Sequence, residues 1–316
     1  MYARKHPKLI HYFWSKCVSV VLLIILSLAV SPAWAVFNIK QVTQGIYVHQ
    51  GLIELPNVHN HDAIANIGFI VGKTCVAVID SGGSPAQGKQ LKHSIKKVTS
   101  VPICYVINTH VHPDHIFGNS AFKQIANIKF VGHKKLARAM AERGAFYIAR
   151  SQEQIGVKLN RHDIVIPTLT VANSLTLDLG GRKLVLTAHT DNDLSVLDKK
   201  TNTIWLSDLL FIGHLPVLDG SLLGWLAELN KLEHRQFDVV IPGHGPIVRD
   251  WPEGIQAEKH YLQYLQKVVR SKIQQGVFLE EVLQTVSYPD KQQWQLFNDF
   301  HKKNLSSAYA ELEWED

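Results

Sequence analysis

The sequence predicts an α/β protein in which two mixed β-sheets stack face to face between outer helices, an αββα sandwich. Three observations carry this. Short β-branched and aromatic runs recur along the chain at hairpin spacing. Strand–helix–strand units alternate with the hairpins, and two strands joined by a crossover helix run parallel. Hairpins are too frequent for a doubly wound sheet, so parallel and antiparallel pairs must share the sheets.

In order, residues 45–49 read as a first short strand, followed by a polar loop over 54–62 that holds His59, His61 and Asp62. Residues 65–71 and 75–80 are two strands joined by the turn Gly72-Lys73-Thr74. The second of them ends in a carboxylate, Asp80, and a flexible Ser81-Gly82-Gly83. Ser84-Pro85 then opens a helix to about Val98, since Ser suits the N-cap and Pro the first helical position. The run Ile103-Cys104-Tyr105-Val106-Ile107 is the next strand. Pro113 lacks an N–H and fixes φ, so the strand has ended before it and the residues between lie on a turn. A short helix over 119–125, a strand over 129–132 and a longer helix over 134–151 follow, with Met140, Phe146 and Tyr147 as packing residues. Residues 167–187 alternate around Gly180-Gly181 as a hairpin. Strands at 194–197 and 203–206, a helix over 221–233 and a strand over 238–241 complete the pattern. The chain from Gly254 onward is mostly helical and carries Tyr261, Tyr264 and Trp294. No Gly-, Ser- or Pro-rich linker interrupts it, so 36–316 is expected to be one domain with a helical C-terminal segment.

Charge excludes one class of partner. The chain holds 33 basic and 27 acidic residues, but Arg4, Lys5, Lys8 and Lys16 fall in the first 35 residues, where no acid occurs. Beyond them the balance is nearly even, which gives no reason to expect nucleic acid. That first stretch has the three parts of an export signal: a basic segment, an apolar run from Cys17 to Val30, and Ser31-Pro32-Ala33-Trp34-Ala35 as a small-x-small cleavage site. The apolar run is shorter than the ~20 residues a spanning helix needs. Residues 1–35 are therefore expected to be a signal peptide and the mature protein to be periplasmic, with no membrane attachment after cleavage. An oxidising compartment permits a disulfide. Cys75 and Cys104 both lie in apolar strand-like runs, and buried thiols are as compatible with the sequence as a bridge.

The chemistry concentrates in His110-Val111-His112-Pro113-Asp114-His115. Four metal-capable side chains sit within six residues, delivered by a buried strand to its exposed carboxyl end, which is where an α/β fold builds a site. Three further strands each run into an isolated His or Asp. Residues 183–188 end at His189, 203–207 at Asp208, and Val239-Val240-Ile241-Pro242-Gly243 at His244, where flanking glycines allow close backbone approach. Imidazoles and carboxylates together suit zinc, while iron or manganese would also fit.

In this combination the chain resembles the metallo-β-lactamase superfamily over nearly all of its length after residue 35. The superfamily's His-x-His-x-Asp-His signature is met by His110, His112, Asp114 and His115. His189, Asp208 and His244 stand in the order of its later histidine, bridging aspartate and final histidine. The resemblance implies two Zn2+ per chain: one on His110, His112 and His189, a second on Asp114, His115 and His244, with Asp208 bridging and Asp80 supporting from behind. Two such metals share a water, lower its pKa and turn it into a nucleophile, and Asp114 is the catalytic residue placed to orient it and pass a proton to the leaving group. The expected reaction is hydrolysis of a small-molecule carbonyl compound, a thioester, lactone, ester or lactam.

The run His189-Thr190-Asp191-Asn192-Asp193-Leu194-Ser195 departs from the Gly-containing turn common after the middle histidine. With residues 207–220 it is similar to exported metallohydrolases associated with periplasmic quinoprotein dehydrogenase or sulfur-oxidation systems, whose components are the implied partners. The competing readings are a β-lactamase proper, a persulfide dioxygenase-like enzyme with one iron, and a non-catalytic metal-binding accessory protein. His214 and Asp219 are candidates to face substrate. Asp191 and Asp193 are expected either to cap a turn or, the preferred reading, to hydrogen-bond a liganding histidine. His59 and His61 read as loop residues, and Lys96-Lys97, Lys134-Lys135 and Lys302-Lys303 as helix surfaces.

Overall fold

β1 (Lys40–Thr43), β2 (Ile46–His49), β3 (Ile67–Val71) and β4 (Val76–Ile79) form an antiparallel meander in the computed structural model. The described residues are 37–189 and 191–315; the export signal expected over 1–35 lies outside them. β1 is not evident in the sequence, because Lys40 and Gln41 face solvent and the strand has no apolar alternation. Ser84 caps the helix Pro85–Val98, its hydroxyl accepting the Gln87 N–H, with Pro85 in the first turn. That helix returns the chain, so β5 (Ile103–Ile107) lies parallel to β4. β6 (Lys129–His133) and β7 (Leu169–Val171) extend the parallel half, completing a seven-stranded mixed sheet.

β8 (Ser174–Asp178), β9 (Lys183–Ala188), β10 (Leu194–Asp198) and β11 (Thr203–Phe211) are antiparallel neighbours in a second sheet. The helix Leu222–Glu233 then intervenes, and β12 (Val239–His244) joins β11 in parallel. Residues 167–187 are thus not a single hairpin. Their first strand belongs to the first sheet, and only β8 and β9 pair across Gly180-Gly181, both at positive φ. A 3-10 turn over Phe117–Ala121 stands where the sequence suggests a helix over 119–125.

One apolar layer packs between the sheets, with Ile79, Ile107 and Val131 from the first and Leu186, Val196 and Trp205 from the second. Each such side chain contributes about 1.5–3 kcal/mol on burial. The helix Pro85–Val98 covers the outer face of the first sheet through Leu91 and Ile95. The helices Leu222–Glu233, Gln256–Gln274 and Phe297–Leu312 cover the second. This is the αββα arrangement. Among the described residues no helix is long and apolar enough to cross a membrane.

Two ties are not legible in the sequence. Buried Arg182 donates Nε and Nη2 to Asp198 at 2.9 and 2.8 Å, and Nη1 and Nη2 to the carbonyls of Val71 and Gln44 at 3.0 and 2.9 Å. It therefore pins the second sheet to the β1–β3 turns of the first. Cys75 and Cys104 are joined by a disulfide across a separation of 29 residues, with their Cα atoms 5.7 Å apart. Side-by-side β4 and β5 bring the two sulfurs together, a register the sequence does not reveal.

Candidate metal centre

The ends of β4, β5, β11 and β12 meet at one edge of the sandwich, and the histidine turn lies there. β5 stops at Ile107, and Pro113 opens a one-turn helix, Pro113–Ile116, that carries Asp114 and His115. Two groups of ligand atoms result: His110 with His115 and Asp208, and Asp114 with His115 and His244. Asp208 stands between them. Its Oδ2 lies 3.3 Å from His110 Nε2 and 3.4 Å from His112 Nδ1, and its Oδ1 lies 3.2 Å from His115 Nε2 and 3.5 Å from His244 Nε2. Asp114 Oδ2 is 3.5 Å from His115 Nε2 and 3.4 Å from His244 Nε2.

The backbone is bent to aim Asp208. Its neighbour Ser207 has φ 51°, and the β11–β12 register slips on both sides of Ser207. The bulge carries β11 past Asp208 to Phe211 instead of ending it near residue 206. Opposite, Gly243 has no alternative: a Cβ there would lie 1.9 Å from Asp208 Oδ1. Asp80, at φ 52°, is a second non-glycine residue in the left-handed region at this edge. Such strain persists only where the surroundings hold it.

Each histidine is anchored through one ring nitrogen, leaving the other for the centre. Asp80 Oδ2 accepts from His115 Nδ1 at 2.8 Å and from the Thr109 hydroxyl at 2.7 Å, while Oδ1 accepts the Thr109 N–H at 2.8 Å. Thr109 Oγ1 in turn takes His110 Nδ1 at 3.0 Å and contacts Ser207 Oγ at 2.7 Å. His244 Nδ1 donates to the Ile64 carbonyl at 3.0 Å. His112 is anchored the other way round, its Nε2 donating to Asp219 Oδ2 at 2.8 Å. Thr109 and Ile64 could not be found as anchors from the sequence; the first is visible only as a hydroxyl beside His110.

The donor set fits divalent metal on this structure's own terms. His110 Nε2, His115 Nε2 and Asp208 Oδ1 are buried and accept or donate no hydrogen bond, although they converge. Buried polar atoms normally find partners, and three aimed at one another suit a cation. The charges lean the same way. Burial opposes ionisation of Asp114 and Asp208, yet the neighbouring His115 and His244, with His110 for Asp208, hold both carboxyls well below the usual range. Burial would lower His112, but Asp208 and Asp219 push it up to about 10. Burial likewise opposes His115, which Asp114, Asp208 and Asp80 raise well above the ordinary value. A metal ion bound among these groups would compete with protons for the same nitrogens and oxygens.

His189 lies outside both groups. It follows β9, but its Nδ1 faces Glu228 Oε2 at 3.0 Å and its Nε2 faces Ser195 Oγ at 2.8 Å. Asp193 closes the 189–193 turn by accepting the His189 N–H through its backbone carbonyl, and Asp191 pairs with Lys135 at 3.7 Å. Buried His214 donates Nδ1–H to the Leu215 carbonyl and packs on His244 and Phe211; burial, then the His244 charge, lowers it to about 4. His61 bonds the Ile155 carbonyl at 2.7 Å, tying the early loop to the helix Leu136–Ile155, and His59 is exposed. Between that loop and that helix, a cavity of about 230 Å³ reaches Asp114; Ile64, Phe117, Phe146 and Leu159 give it an apolar side, and Asp62, Arg150 and Gln154 a polar one.

Comparison with known proteins gives a consistent fold. The family model described as the metallo-β-lactamase superfamily matches residues 62–244. A linear primary-alkylsulfatase of Pseudomonas sp. is 24% identical over 253 residues, covering 67% of this chain and 48% of its own; the chain thus spans about half the length of that relative. Among solved structures, a stereoselective inverting sec-alkylsulfatase from Pseudomonas sp. superimposes with a TM-score of 0.69 at 16% identity, over 88% of this chain and 50% of that one. A metallo-β-lactamase from Pontibacter korlensis superimposes with a TM-score of 0.57 at 20% identity, over 72% of this chain and 98% of that one.

Proposed function

This chain belongs to the metallo-β-lactamase superfamily, and on that premise we propose that it is an exported hydrolase with two zinc ions that cleaves a small carbonyl compound. The observation that carries the reading is Asp208, one carboxylate oxygen turned to His110 and His112, the other to His115 and His244. His110, His112, Asp208, Asp114, His115 and His244 are the residues that would hold the ions, with His189 completing the first set once one of its ring nitrogens is released by Glu228 or Ser195. Bound there, zinc supplies Lewis acidity and a water of lowered pKa.

The chain's own residues do the rest. Asp80 and Thr109 fix the His110 and His115 rings, so each presents Nε2 rather than a ring proton to the centre. Asp114 borders the cavity between the early loop and the helix Leu136–Ile155, a position from which its carboxylate can orient a water and stand beside a leaving group. The apolar side of that cavity, with Ile64, Phe117 and Leu159, is where an apolar arm of the substrate would pack. Export is supported by the signal pattern of residues 1–35 and by the Cys75–Cys104 bridge, which an oxidising compartment maintains. The same reading makes components of a periplasmic quinoprotein or sulfur-oxidation system its partners.

A second reading has its own support: the alkylsulfatase likenesses and the apolar wall beside Asp114 suit a sulfate ester of an alkyl chain. One experiment addresses both. Metal analysis of the purified protein is paired with a hydrolysis screen over thioesters, lactones, esters, β-lactams and alkyl sulfates. We expect about two zinc per chain and turnover of a carbonyl compound that Asp114→Asn abolishes while metal is retained. Turnover of alkyl sulfates alone would replace the carbonyl reading with the second. A protein holding no metal would end both.

A further inference from the structure

We propose that Asp219 positions His112 for the metal centre, and that Arg143 holds Asp219 in place, so that a three-residue chain across the mouth of the cleft sets the affinity for one of the two ions. This rests on the two-metal reading above. Three of the four converging histidines are fixed through Nδ1 by acceptors built into the strand ends: Thr109, Asp80 and the Ile64 carbonyl. His112 is the exception. Its ring is the most open of the four, and its Nδ1 is the atom that faces Asp208. The anchor on its Nε2 is Asp219 Oδ2 at 2.8 Å.

A neutral imidazole carries one ring proton, and an acceptor at Nε2 selects the tautomer whose Nδ1 lone pair is available to a metal. Without Asp219 nothing among the described contacts distinguishes the two ring nitrogens of His112 except the carboxylate at the centre itself. Asp219 lies on the irregular segment between β11 and the helix Leu222–Glu233, so its own place needs explaining. Arg143 explains it: Nη1 of Arg143 donates to the same Oδ2 that holds His112. Arg143 belongs to the helix Leu136–Ile155, one helical turn before Tyr147 on the cavity wall. The chain His112–Asp219–Arg143 therefore links the two walls of the cleft over the centre. A half-exposed ion pair contributes little to stability, so its consequence is expected in the metal and not in the fold.

The test compares the holoprotein with Asp219→Ala, Asp219→Asn, Asp219→Glu and Arg143→Met by chelator competition for zinc and by the visible spectrum of the cobalt-substituted protein. We expect Asp219→Ala to weaken one ion by about 10–100-fold, to leave the other within about twofold, and to alter the cobalt spectrum. Asp219→Glu should restore part of the loss, and Arg143→Met should act in the same direction by a few-fold. Unaltered affinity for both ions with an unaltered spectrum in Asp219→Ala overturns the proposal. So does a parallel weakening of both ions that tracks a fall in melting temperature in the Ala and Asn variants alike. If the unsubstituted protein binds no metal, the two-metal reading fails first and takes this one with it; metal binding indifferent to residue 219 refutes this one alone.

Discussion

Asp80 offers a way to separate what holds the fold from what holds the metal. Its carboxylate is fully buried and accepts three short hydrogen bonds, from Thr109 N, Thr109 Oγ1 and His115 Nδ1. In Asp80→Ala the Thr109 hydroxyl still has Ser207 Oγ at 2.7 Å, but the Thr109 N–H and His115 Nδ1–H lose their short partners. At about 1–3 kcal/mol for each stranded buried donor, the metal-free protein should lose roughly 2–6 kcal/mol, a large part of the ~5–15 kcal/mol a domain has. Asp80→Asn keeps the shape. If its oxygen takes the Thr109 N–H, its NH2 faces His115 Nδ1, so His115 must accept there and carry its proton on Nε2, aimed at the centre. Stability then falls less than in the Ala variant, while metal affinity falls by about 10–100-fold. Urea unfolding of the metal-free proteins measures the first quantity and chelator competition the second. Metal affinity in Asp80→Asn within about twofold of the unsubstituted protein would refute the tautomer argument.

Other perturbations address the frame. Arg182→Met strands the buried Asp198 carboxylate, and urea unfolding at pH 7 should show a loss of about 3–5 kcal/mol, much of it recovered in Arg182→Met/Asp198→Leu. Replacing both Cys75 and Cys104 by Ser removes a bridge over 29 residues, and the loop-entropy relation gives a loss of about 3–4 kcal/mol; a chain starting at Val36 should titrate no free thiol when denatured and two after reduction. Glu258 is buried with Oε1 on the Phe211 N–H, and burial, aided by the Asp208 charge, raises its carboxyl well above the usual range despite that bond. Its folded state retains a proton that the unfolded chain releases, so its contribution is full at pH below about 4 and declines as pH rises toward its raised value. Glu258→Gln mimics the protonated form, and its gain in melting temperature should be larger at pH 8 than at pH 5.

Much of the architecture is legible locally. Ser84-Pro85 writes its own helix start, the apolar run 103–107 its own strand, and Pro113 the end of the turn before it, because caps, β-branching and a missing N–H act within a few residues. β1 and the extension of β11 through the Ser207 bulge were not, since pairing partners create them.

For the candidate centre, spacing singles out His110, His112, Asp114 and His115, which one turn must bring together, and strand ends point to Asp208 and His244, whose side chains the fold brings to the same place. His189 carries the same local grammar, yet Glu228 and Ser195 claim its ring nitrogens, and no rule acting along the chain could weigh a helix 39 residues away. Which nitrogen each histidine offers, and which of Asp80, Thr109, Ile64 or Asp219 decides it, is likewise settled by groups distant in sequence. The kinds of ligand were determined by residue chemistry, which is local. Their aim was decided by tertiary structure, because an imidazole has two ring nitrogens that can carry the proton and only its packed neighbours choose between them.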